Sequence, residues 1–287
     1  MDLSTLTVAR ALVFLTLLPA AGLPLYWLTA GRDETPGGSA RRAAAALAVL
    51  AGLASLLWLV ASVAAMAAIP IVELDSDTLV VVAGATPLGM VLTIRLAALA
   101  VVAASILPAR VPLAVPMLAG LVALATCAFT GHAGASEGSA GLVHRLSDVA
   151  HLAAAACWLA ALLRFVAGAF GHEPAAEAAR RLARFATTGT AIVLVLLATG
   201  LANLVLIAGW QLPPASFWTA LLVFKLALFA AMLGLAALNR WRFTPALHTG
   251  APGAAAVLRR SLAAELACAV ALLGVVALLG TLDPAGG

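Results

Sequence analysis

Long apolar runs alternate along this chain with short polar links, and the runs have the length of a bilayer crossing. A membrane-spanning helix needs about 20 mainly apolar residues, because only a helix satisfies its own backbone groups in lipid. Stretches of that kind run from Leu6 to Leu28, Ala43 to Ile69, Leu88 to Leu107, Val111 to Phe129, Leu146 to Ala169, Phe185 to Ala208, Phe217 to Leu238 and Leu262 to Leu282. A shorter run, Leu79 to Ala85, cannot span and predicts an interfacial or re-entrant piece over residues 78–86. The first run reads as a helix and not a signal peptide. Its apolar part is long, its start, MDLSTLTVAR, has one Asp and one Arg, and Arg41 and Arg42 follow it. The pattern therefore predicts an all-α, polytopic membrane bundle of eight transmembrane helices, forming a single domain over residues 1–287.

The links supply an orientation, since cytoplasmic loops collect Lys and Arg. Arg32, Arg41, Arg42, Arg110, Arg164, Arg180, Arg181, Arg184, Arg240, Arg242, Arg259 and Arg260 fall at one side of the predicted helices. Arg145 falls at the other, together with the acidic VELDSDT link that holds Glu73, Asp75 and Asp77. Both termini are then expected outside.

Composition agrees with the pattern: 64% of the 287 residues are hydrophobic and 10% charged, with a mean hydropathy of +1.12, far from a soluble domain. The net charge of +4 does not indicate nucleic acid, because the basic residues lie between apolar runs and not on one solvated face. Cys127, Cys157 and Cys268 sit inside apolar runs without CxxC spacing and read as small buried hydrophobes. Trp27, Trp158, Trp210, Trp218 and Trp241 near the run ends suit an interfacial aromatic belt, and Trp58 suits mid-span packing.

Charged or polar groups within the spans carry more information, since Arg, Lys or Asp at a helix centre costs roughly 2.5–3.5 kcal/mol even on mild scales. Arg10, Arg95, Lys225 and Asn203 fall in the outer half or near the middle of their helices. At about 1.5 Å per residue Arg95 lies roughly 10 Å inside its outer end. A polar cavity opening outward would account for Arg95 and Lys225. Arg10 and Glu265, the latter close to the inner end of the last run, read as structural.

The stretch TGHAGASEGSAGLVHRLSDVAHLAAAACWLAALL, residues 130–163, gathers most of the candidate chemistry. His144, Asp148 and His151 are spaced i, i+4, i+7, which puts them within about 60° of one another on a helix face. His132 ends the preceding run, and the GASEGSAG link lets the two helices return antiparallel, bringing His132 toward His151. Two imidazoles and a carboxylate from two helices make a transition-metal site, suited to copper, zinc, iron or nickel. Asp148 serves either as a ligand or as the group that orients a histidine ring. Met90 offers a soft thioether that would suit Cu(I).

These residues resemble a known family. GHA at 131–133 and DVAHLAAAACWLAALL from 148 are similar to the signature of the copper resistance protein D (CopD) family, and TPLGMVLTIR at 86–95 is similar to its T-x-x-G followed by an intramembrane Arg. The resemblance covers nearly the whole eight-helix layout and carries over to His132, Asp148, His151, Trp158 and Arg95. Ala160 and Ala161 replace the family's Gly-Gly, and a Met-rich outer loop is missing. The resemblance implies copper, as Cu(I) or Cu(II), and a periplasmic carrier of the CopC type that would deliver it.

The expected function is that of a non-enzymatic inner-membrane copper protein that binds copper at its periplasmic face and passes it toward the cytoplasm. No GxxxxGK[ST] loop occurs, which argues against ATP-driven pumping by this chain. A second reading is a haem b electron carrier with His132 and His151 as axial ligands. A third is a structural subunit in which Asp148 pairs with Arg95.

Overall fold

A computed structural model describes residues 3–131, 134, 138–171, 173–210 and 215–282; His132 lies outside them. The chain folds as a polytopic helical membrane bundle. In order, its helices are α1 (Leu3–Thr29), α2 (Gly38–Ala67), α3 (Ser76–Ala85), α4 (Pro87–Ile106), α5 (Ala114–Ala125), α6 (Gly138–Phe170), α7 (Ala175–Ala208), α8 (Phe217–Leu238), α9 (Thr244–His248) and α10 (Ala254–Leu279). A π turn, Asn239–Phe243, joins α8 to α9.

Among the described residues seven helices are long and apolar enough to cross a membrane. The stretch read as an eighth, Val111 to Phe129, forms the 12-residue α5 and a four-residue 3-10 turn, Thr126–Phe129. At about 1.5 and 2.0 Å per residue these extend about 26 Å, a little short of a hydrocarbon core of about 30 Å. The run at 78–86 falls on α3, ten residues capped by Asp75, whose carboxylate accepts the Thr78 amide at 2.7 Å. That hydrogen bond holds the Asp75 carboxyl below the usual carboxylate range.

Helix ends follow local chemistry where hydropathy does not mark them. Before Phe185 the segment AAEAARRLAR is rich in good helix formers, so α7 starts at Ala175. Likewise α10 starts at Ala254, not Leu262, which puts Glu265 well inside the helix and not close to its end. Ser216 caps α8 by accepting the Thr219 amide at 3.2 Å, Pro87 occupies the first turn of α4, and α2 closes on Ala68 in the left-handed region, two residues before Pro70.

Helix α1 is the hub, packed against α2, α4, α5, α6 and α10. Small residues permit this closeness: a Cβ at Gly22 would overlap the Ala156 carbonyl of α6, and one at Gly120 of α5 would come within 2.9 Å of the Ala21 Cα. Helix α6 is the most enclosed, with 56% of its apolar window buried; α7 and α8 lie at the edge, with 11% and 6%.

The two ends of the bundle differ. At the end of the α1–α2 link, Glu34 accepts hydrogen bonds from Arg164 Nε (3.1 Å), Arg181 Nε (2.8 Å) and the Tyr26 hydroxyl (2.7 Å). Arg181 also donates to Glu173 at 2.6 Å, and Arg41 donates to the Ile106 and Pro36 carbonyls. This arginine-rich end thus ties α1, α2, α4, α6 and α7 together. The opposite, histidine end carries the link from α5 to α6.

Candidate functional site

Gly138 starts α6 earlier than the apolar run suggests, so the whole His144, Asp148, His151 series is helical. His144 is buried, at 2% exposure, while Asp148 and His151 are half-buried. Both of the latter meet partners on α7. His151 Nδ1 lies 2.9 Å from Thr199 Oγ1, and Asn203 Nδ2 donates to Asp148 Oδ1 at 3.4 Å. One turn back on α6, Ser147 Oγ donates to the Thr199 carbonyl at 3.4 Å.

These contacts define the imidazole's tautomer. Thr199 Oγ1 donates its own proton to the Val195 carbonyl at 2.5 Å, so toward His151 it acts as acceptor and Nδ1 carries the hydrogen. The lone pair then resides on Nε2, the form in which an imidazole binds a metal. Gly200 lets the α7 backbone come close: a Cβ there would lie 3.5 Å from His151 Cε1. From α8, Lys225 is near enough to act electrostatically on both Asp148 and His151.

A second set of polar groups continues from this one. Arg95, 2% exposed on α4, donates from Nε to Thr126 Oγ1 at 2.8 Å, reaches Cys127 Sγ at 3.6 Å from Nη2, and lies 5.0 Å over the Trp58 ring. Thr126 Oγ1 passes its own proton to the Ala123 carbonyl at 2.6 Å. Arg10 of α1 lies within electrostatic reach of Cys127 and Arg95, and Asp148 also acts on Cys127. The guanidinium of Arg10 is seated against Gly280, where a Cβ would overlap it, and its Nε has no partner.

Cys127 packs against the core as its apolar neighbours suggest, and the 3-10 turn at Thr126–Phe129 in addition brings it to Arg95. The aromatic-belt reading also needs correction: Trp27, Trp158 and Trp218 are buried within the bundle, while Trp210 and Trp241 are exposed. Met90 is 64% exposed on α4. Asn203 keeps Oδ1 without a partner. Among the described residues no three of His, Cys, Asp and Glu surround a common point as a metal would require. Nor do those residues include an Arg95–Asp148 ion pair. Thr199 and Ser147 were missed by sequence reading; the i, i+4 spacing of Thr199 and Asn203 in an otherwise apolar run was the available signal.

Residues 1–142 match the family described as Copper resistance protein D-like, N-terminal domain, and residues 179–279 match Copper resistance protein D. Copper resistance protein D of Pseudomonas syringae pv. tomato is 38% identical over 215 residues, 69% of this chain and 69% of that protein. The chain belongs to the copper resistance protein D family. Inner membrane protein YebZ of Escherichia coli (strain K12) is 30% identical over 160 residues, 54% of each chain. No solved structure matches. This CopD-family member is accordingly a multi-pass inner-membrane protein. The two matched stretches contain Arg95, Asn203 and Lys225; Asp148 and His151 lie between them.

Proposed function

We propose that this protein takes up copper at the histidine end of the bundle, that this end faces the periplasm, and that copper passes from there toward the cytoplasm. The observation that carries the reading is the His151 imidazole, fixed by Thr199 with its Nε2 lone pair available, beside an Asp148 carboxylate held by Asn203. His132 supplies the further ligand, as the sequence pattern suggests, with His144 and Met90 as auxiliary donors. Copper is the cargo here, and a carrier of the CopC type would present it. The clustering of arginines at the opposite end supports the orientation, with both termini periplasmic.

In this scheme Asp148 offsets the positive field of Lys225, Arg10 and Arg95, and that field opposes an open cation pore. Copper would thus move between discrete ligands and not along a water column.

The test is copper and iron content of the detergent-purified protein beside His151→Ala and His132→Ala/His151→Ala variants, with cellular copper accumulation measured in parallel. Copper bound by the wild type, lost in the variants and matched by lower accumulation is the expected result. Copper retained by the double variant overturns the site, iron with a haem absorption band overturns the cargo, and unchanged accumulation overturns transport.

A further inference from the structure

Glu265 lies away from the cluster just described, and among the described residues its surroundings are unlike those of any other carboxylate. It is 3% exposed in the middle of α10. Trp158 Nε1 of α6 donates to one of its oxygens at 3.0 Å and Asn239 Nδ2 to the other at 3.0 Å. Among the described residues no cation pairs with it. On the surrounding elements Arg240 bonds Ala186 and Thr190, Arg259 lies over Phe170, Arg164 of α6 pairs with Glu34, Lys225 of α8 is near Asp148, Arg10 of α1 sits against Gly280, the Tyr26 hydroxyl donates to Glu34, and Arg242 and Arg260 are exposed. His248 of α9 is exposed. Of the nearby thiols, Cys157 of α6 faces Thr29, and Cys268 is a free thiol three residues further along α10.

On α10 and on the π turn and α9 packed against it are three buried polar side chains with an unpartnered atom: Asn239 Oδ1, Thr244 Oγ1 and Ser261 Oγ. They are 3%, 5% and 7% exposed. Such orphans are rare in folded proteins, and their positions are ordered. Ser261 is one helical turn from Glu265, and Thr244 is one π turn from Asn239, its amide donating to the Asn239 carbonyl. Both lie on the arginine-rich side of the Glu265–Asn239 pair, so polar atoms continue from the carboxyl toward that end. The π turn, a feature common at functional sites, sets Asn239 and Thr244 on this line.

We propose that Glu265 is a proton-exchanging carboxyl that takes up and releases a proton through the arginine-rich end, along Asn239, Thr244 and Ser261. As carboxylate it accepts from Trp158 and Asn239. When one proton binds a carboxylate oxygen the group becomes a neutral acid and must donate; rotation of the Asn239 amide then presents Oδ1, the atom now without a partner, as the acceptor. The rotation gives up the Asn239 Nδ2 hydrogen bond, and no covalent bond other than the O–H forms or breaks. An all-oxygen donor set also disfavours a soft copper ion at this point, so the proton site and the copper site are separate.

The experiment is pH-difference infrared spectroscopy of the copper-free protein in lipid nanodiscs, for wild type, Glu265→Gln, Trp158→Phe and Asn239→Ala. A protonated-carboxyl carbonyl band that grows as pH falls from about 9 to about 5, the range in which buried carboxyls titrate, and that is absent from Glu265→Gln is expected. Trp158→Phe removes a donor that favours the carboxylate, so its band should persist to a pH about one unit higher. This second readout holds where Glu265→Gln fails to fold. A wild-type spectrum invariant with pH, a band that survives in Glu265→Gln, or a response to sodium in place of protons overturns the proposal.

Discussion

Arg181 and Arg95 are both buried, at 7% and 2% exposure, yet the chain treats them differently. Arg181 bonds two carboxylates, Glu34 and Glu173, and its charge is cancelled where it stands. Arg95 meets a hydroxyl, a thiol and an indole face, and keeps its field. A buried cation matched by carboxylates is a tie between helices. One held by neutral groups is tolerated at a cost in stability, which is reasonable only where its charge is used.

The largest effect is expected from Glu34→Ala, which leaves Arg181 with Glu173 alone and takes the carboxylate from Arg164 and the Tyr26 hydroxyl. It should lower stability on the order of 3 kcal/mol, read as a fall in Tm of the purified protein, with copper binding per folded molecule unchanged. Arg95→Met should do the reverse. Thr126 Oγ1 retains its bond to Ala123, so no polar atom is orphaned, and Tm should stay within about 1 kcal/mol equivalent or rise, while copper accumulation falls. A drop in Tm equal to that of Glu34→Ala would erase the distinction.

Smaller effects sharpen it. Thr199→Val removes the acceptor that orients His151 and should weaken copper binding by about 10- to 100-fold with about 1 kcal/mol lost in stability, measured by isothermal titration and thermal unfolding together. Smallest is the pH response of α3. The Asp75 carboxyl is held below its usual range by the Thr78 amide, so its contribution is present above the ordinary carboxylate value and is lost as pH falls through the depressed one. Hydrogen exchange at the start of α3 should quicken only under acid, with the rest of the bundle unaffected.

The membrane bundle was readable because bilayer thickness imposes a long apolar run on each crossing. Helix ends were less so: Ala175 and Ala254 begin their helices through propensity, in segments where hydropathy has already faded. In the site, the shared face of Asp148 and His151 followed from helical spacing. Their contacts with Thr199 and Asn203 did not, since a one-dimensional pattern does not say which helix lies alongside. The contact of Cys127 with Arg95 was not readable, because the 3-10 turn that brings them together leaves no mark in hydropathy. Trp158 and Glu265, 107 residues apart, are joined only by the packing of α6 on α10.

Where Gly22 meets Ala156, two backbones touch with no side chain between them. That contact seats α6, which carries Asp148 and His151, directly on the α1 backbone. Their partners Thr199, Asn203 and Lys225 belong to α7 and α8, the least enclosed helices. The bonds from His151 and Asp148 to α7 thus join the most enclosed helix of the bundle to one that turns most of its surface to lipid.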